Sequence, residues 1–104
     1  MYKVENGKAT LTKYLGSNST IYIPRTINGY TVTKIATGFY SSSSTRYIYI
    51  PKEVTGIEFK AFINTSYSTH YFYFEIAEQP LSWGTEWYYN SYYGSYTNYI
   101  SKSW

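Results

Sequence analysis

The tetrapeptide Ile-Tyr-Ile-Pro occurs twice, at Ile21 to Pro24 and at Ile48 to Pro51, and an aromatic version, Phe-Tyr-Phe-Glu, follows at Phe72 to Glu75. The copies lie 27 and 24 residues apart. A period of that size marks a chain built from stacked units, none of which can bury its apolar face alone. Within each copy apolar and tyrosyl positions alternate, which predicts strands rich in β-branched and aromatic residues. Ile21, Ile23, Ile48, Ile50, Phe72 and Phe74 then face inward, and Tyr22, Tyr49 and Tyr73 face outward. Parallel stacking at about 4.8 Å would align Tyr22, Tyr49 and Tyr73 in one row and Thr20, Tyr47 and Tyr71 in a second.

The segments between these strands also match one another: VTKIATGFYSSSS after the first and VTGIEFKAFINTS after the second. Val32, Ile35 and Phe39 align with Val54, Ile57 and Phe62 if one residue is deleted before Phe39. Both segments are too short for a regular α-helix and are expected to be irregular or helical-turn returns to the next strand. The longer first spacing is accounted for by an insertion, TINGYTV, whose Asn28-Gly29 pair reads as a tight turn. Asn6-Gly7, between two alternating runs, predicts a β-hairpin that covers the open end of the stack. The expected layout is one domain: residues 1–19 a hairpin cap, 20–74 two repeats plus a third strand, and 75–104 a C-terminal cap and Tyr/Ser-rich tail. From Tyr88 onward the chain is almost entirely Tyr, Ser, Asn, Gly and Thr. This segment is either a final strand-and-loop system, with a short strand near Tyr96 to Ile100, or a flexible aromatic tail.

Composition bears on whether such a chain orders at all. In 104 residues, Leu, Ile, Val and Phe supply only 21, whereas tyrosine supplies 16. A chain so poor in aliphatics would be disordered if it were also highly charged. Charged residues are 14% and the net charge is +3, so aromatic burial can drive folding. No apolar run approaches the roughly 18 to 20 residues of a membrane span, and Met1 to Val4 lacks the apolar stretch of a secretory signal.

Taken together, TIYIP, VTKI, GF and a Ser/Thr-rich turn, followed by YIYIP, VTGI and KAF, resemble the BspA-like leucine-rich repeats of bacterial surface proteins. The run ATLTKYLGSNSTIYIPRTINGYTVTKI is similar to that family's entry into its first repeat. FEIAEQPLSWGTEW is similar to its exit, with Pro80, Trp83 and Trp87 after a strand. The resemblance covers Tyr2 to about Trp87. It departs from the family in having Ile, Val or Phe at the leucine positions, no cysteine, and tyrosine where the exposed strand face usually carries Thr or Ser. It implies a mainly β, short leucine-rich-repeat solenoid with an N-terminal hairpin cap and a Trp-containing C-terminal cap. It also implies a binding or adhesion role at the cell surface or in the extracellular space.

Catalytic equipment is sparse. Cysteine and aspartate are absent and His70 is the single histidine, so a triad, thiol nucleophile or zinc site cannot be assembled within the chain. No catalytic residue, metal or cofactor is expected. Glu75 and Glu78, with Glu86 beyond, read as solvated charges rather than a calcium site. The nine basic residues are spaced through the chain; without a dense basic stripe, counterion release contributes little and nucleic acid ranks third as a partner. The Ser41 to Ser44 run reads as a flexible turn or a site of surface decoration.

The candidate ligand-binding residues are therefore Tyr22, Tyr47, Tyr49, Tyr71, Tyr73, Trp83 and Trp87. Tyrosine offers a rigid apolar face with a hydroxyl at its rim, suited to a protein or glycan. The same rings could instead serve only as cross-strand pairs that stabilise the sheet. Trp83 and Trp87, four apart, would share one side of a helical turn, as a sugar-binding pair or as a plug for the end of the core. Open strand edges and the Tyr/Ser tail leave self-assembly into a fibre or sheet as the alternative.

Overall fold

A computed structural model describes residues 1–14, 16, 19–42, 45–66, 68–75, 86–96 and 99–103. Regular structure among these residues is entirely β. The Asn6-Gly7 hairpin joins β1 (Tyr2–Glu5) to β2 (Lys8–Leu11), antiparallel with Glu5 opposite Lys8. Both loop residues have positive φ, 50° and 73°, the conformation of a two-residue turn that matches strand twist. Asn28-Gly29 repeats the device, φ 49° and 84°, between β4 (Thr26–Ile27) and β5 (Tyr30–Ile35).

The repeated tetrapeptides form β3 (Thr20–Tyr22), β7 (Tyr47–Ile50) and β10 (His70–Phe74). They pair in parallel, and β12 (Tyr99–Ser103) completes a four-stranded sheet in the order β12-β10-β7-β3. The expected inward residues are buried at Ile21, Ile23, Ile48, Ile50 and Phe72, and Phe74 is half-buried against them.

The return segments differ from expectation. Among the described residues they contain no helix; the first carries the end of β5 and one short strand, the second two short strands. β6 (Tyr40–Ser42), β9 (Phe62–Asn64) and β11 (Tyr88–Asn90) form a parallel three-stranded sheet. β8 (Gly56–Ile57) pairs in parallel with β5, which also pairs with β2. The register corrects the sequence alignment as well. Lys34 lies opposite Gly56, Ile35 opposite Ile57 and Tyr40 opposite Phe62, a constant offset of 22 with no deletion. Phe39 therefore corresponds to Ala61, not Phe62.

The sheets do not form a regular leucine-rich-repeat coil: the third one mixes antiparallel pairs, β1-β2 and β4-β5, with parallel ones. The molecule is nonetheless compact, with a radius of gyration of 12.8 Å, close to the roughly 13 Å expected for a chain of about 100 residues.

The aromatic C-terminal segment supplies β11 and β12, the latter beginning at Tyr99 rather than Tyr96. Tyr88 is fully buried, whereas Tyr92 and Tyr93 are exposed. The buried Asn64 and Asn90 occupy matching register positions. Each side-chain Oδ1 accepts from the backbone N–H two residues on, Ser66 or Tyr92, at 2.9 Å. Asn64 Nδ2 also donates to the Ser68 carbonyl at 2.7 Å. These amides hold the turns that follow β9 and β11 in an Asx-turn arrangement.

Candidate functional site: a tyrosine comb on the parallel sheet

Parallel register places Tyr22, Tyr49 and Tyr73 in one row, ending on Lys102, and Thr20, Tyr47 and Tyr71 in the neighbouring row, ending on Ile100. Tyr22 and Tyr49 stack with centroids 4.8 Å apart and planes 12° from parallel, and Tyr49 and Tyr73 at 4.6 Å and 11°. Tyr47 and Tyr71 stack at 5.5 Å and 22°. The first two spacings equal the spacing of adjacent strands, so the backbone itself brings the rings face to face.

That geometry determines what the surface offers. Inside a row each ring face is covered by the next ring, so a partner meets ring edges and phenolic hydroxyls rather than flat faces. Exposure follows: Tyr22, at the outer strand, is 68% exposed, and Tyr49, Tyr71 and Tyr73 are half-buried. Burial raises the Tyr49 phenol pKa, and the neighbouring phenols of Tyr22, Tyr73 and Tyr47 add to the rise. Tyr49 therefore keeps its phenolic proton more firmly than an isolated tyrosine.

Beside β3 lies a groove of about 390 Å³, lined by Lys13, Tyr14, Ile21, Tyr22 and Phe39 among others. Sequence reasoning did not anticipate it, because Leu11, Lys13 and Phe39 are brought to β3 only by the fold.

At the ends of the strands Arg25 reaches across the rungs to Glu75, with two guanidinium–carboxylate bonds, and to Glu53 at 2.8 Å. Glu75 also accepts from the Lys52 backbone N–H at 2.9 Å. Arg25, with the Lys52 amide, holds the Glu75 carboxyl down at about 2. Glu75 is thus a structural clamp and not merely a solvated charge.

The tryptophan pair is corrected in part. Trp87 is 2% exposed and stands edge-on to Phe72 at 4.8 Å and Phe62 at 6.1 Å. It precedes β11 rather than sitting on a helical turn, and a buried indole cannot receive a ligand. Trp83 and Glu78 lie outside the described residues, as do Pro80, Ser43 and Ser44. His70 is fully buried among the rings of Tyr40, Phe72 and Tyr88. Among the described residues no group of three or more His, Cys, Asp or Glu side chains could hold a metal ion.

Comparison with protein-family models, with curated proteins and with solved structures finds no match to this chain.

Proposed function

We propose that the chain is a non-enzymatic binding or adhesion module whose tyrosine-covered strand face recognises a protein or a glycan. The observation that carries this reading is the in-register comb of Tyr22, Tyr49 and Tyr73 beside Tyr47 and Tyr71. Rigid rings present hydroxyls at fixed spacing with little side-chain entropy left to lose on binding. Tyr22 adds the exposed ring face that stacking on a sugar or apolar side chain requires.

The repeat reading is supported by recurrence; the extracellular or cell-surface setting rests on the BspA-like resemblance alone. β3, β5 and β6 are followed by β7, β8 and β9, which pair with them one for one.

Replacing Tyr22, Tyr49 and Tyr73 together by serine should abolish capture of partners on glycan and protein arrays while the far-ultraviolet circular dichroism stays that of the wild type. Each stacked pair contributes about 0.2–1 kcal/mol to a sheet, so the variant should fold with a modest loss of stability. Unchanged array binding by the folded variant, or unfolding of the triple variant, would count against the comb as a recognition surface.

A second reading is favoured by one observation. The outermost strands of the parallel sheet, β3 and β12, have no strand partner on their outer edges among the described residues. Edges of this kind template addition of another chain. Addition of β12 of one copy to β3 of the next would carry the rows onward, Lys102 meeting Tyr22. In a dilution series light scattering should then report particles that grow with concentration. A mass independent of concentration would leave only the binding module.

A further inference from the structure

Lys60 lies on a different part of the surface from the comb, at the turn between β8 and β9. Its φ is +48°, in the left-handed region, and the position corresponds by the constant offset to Gly38, φ +75°. The two turns share their bonding: the N–H groups of Phe39 and Ala61 donate to the carbonyls of Ala36 and Glu58, both at 3.2 Å. Glycine adopts this conformation without penalty, whereas a side chain there costs about 1 kcal/mol or more. Strained residues of this kind concentrate where the side chain has a task.

The ammonium of Lys60 sits over aromatic rings: 4.5 Å from the centroid of Tyr89, 5.3 Å from Phe59 and 6.0 Å from Tyr96. The rings are mutually inclined, Tyr89 and Tyr96 by 52° and Phe59 and Tyr96 by 39°. Phe59 is 48% exposed. The ion pairs among the described residues involve Lys3 and Arg25 and leave Lys60 without a carboxylate. A cation held on ring faces, with no ion-pair partner among the described residues, is presented beside an apolar wall.

We propose that Phe59, Lys60, Tyr89 and Tyr96 form a second binding site, for an acidic sugar. The C–H face of the sugar ring would rest on the Phe59 and Tyr96 rings, and its carboxylate or sulfate would pair with Lys60. Charge complementarity selects the anion, and the inclined rings select a puckered ring over a bare ion. The site uses none of the comb residues, so it stands or falls independently of the comb.

Glucuronate titrated into the full chain, followed by amide chemical shifts at low ionic strength, tests this against glucose and acetate as controls. Glucuronate should shift the amides of Phe59, Lys60, Tyr89 and Tyr96 saturably and bind at least about tenfold more tightly than either control, about 1.4 kcal/mol. In Lys60→Gly the preference for glucuronate over glucose should vanish, while the variant melts no lower than the wild type because the backbone strain is relieved. Equal responses to glucuronate and glucose, or to glucuronate and acetate, would overturn the proposal. So would shifts confined to other residues, glucuronate binding retained in Lys60→Gly, or a fall in its melting temperature beyond about 5 °C, which would mean that Lys60 is kept for packing.

Discussion

Phe72→Ala should remove about 3–5 kcal/mol of stability, among the largest losses expected from a single truncation in this chain. Phe72 is fully buried at the centre of the aromatic core. Its ring meets Phe62 at 5.2 Å, Trp87 at 4.8 Å, Tyr88 at 5.6 Å and Tyr99 at 5.6 Å, all at 77° or more. Edge-to-face contacts set the positive rim of one ring against the negative face of another and add to the area buried. Alanine would forfeit all four contacts and leave a cavity walled by rigid rings that cannot collapse into it. A domain of this size holds on the order of 5–15 kcal/mol in total, so the variant should sit at the margin of folding. Urea unfolding checks this, with Ile100→Ala as the control: Ile100 is 42% exposed, and its truncation should change stability by no more than about 0.5 kcal/mol. A loss below about 1 kcal/mol at Phe72 would mean that the aromatic cluster is not what holds the sheets together.

The centrality of Phe72 was legible in the sequence only as one inward position among six. The rows of the parallel sheet could be read directly, because strand period is two and two copies of a tetrapeptide fix their own register. The two Asn-Gly turns were equally legible, since positive φ at consecutive positions restricts the residue types. The return segments were not. Strands of two or three residues, such as β8 and β9, are too short to show a period, and their pairing is imposed by the neighbouring rungs. Matching Phe39 to Phe62 by residue type then introduced a deletion that the backbone does not have; the constant offset sets Phe39 beside Ala61, and Tyr40 beside Phe62. The comb residues were identified from sequence, and ring-on-ring packing was legible as one of two alternatives; how closely the faces would stack, at 4.6 to 5.5 Å, was not. Lys60 carried no sequence signal, because its significance lies in a left-handed φ and in rings brought from Tyr89 and Tyr96.

Acidification from pH 6.5 to pH 4 should cost the fold about 3 kcal/mol through His70 alone. Burial pushes the imidazole down from 6.5 to about 4. The Thr45 backbone opposes that shift without forming a well-aligned bond to either ring nitrogen, and the charge of Arg46 adds to it. Above pH 6.5 the ring is neutral in folded and unfolded chains alike, and there is no penalty. Between 6.5 and about 4 the unfolded chain takes up a proton that the folded chain refuses, so stability falls with pH; below about 4 both forms are protonated and the loss is complete. Glu75 acts in a lower window. Its carboxyl, held at about 2 chiefly by Arg25, contributes stability that is present above 4.5 and lost as pH falls toward 2. Two variants separate the windows. His70→Leu should flatten the stability profile between pH 6.5 and 4 and leave the lower fall intact; Glu75→Gln should do the reverse. Urea-unfolding free energies at pH 7, 5, 4 and 3 read both. A wild-type profile that is flat down to pH 4, or one that His70→Leu does not flatten, would mean that the imidazole reaches water or a hydrogen-bond partner in solution. In that case the close ring packing around His70 would have to open, taking part of the core that centres on Phe72 with it.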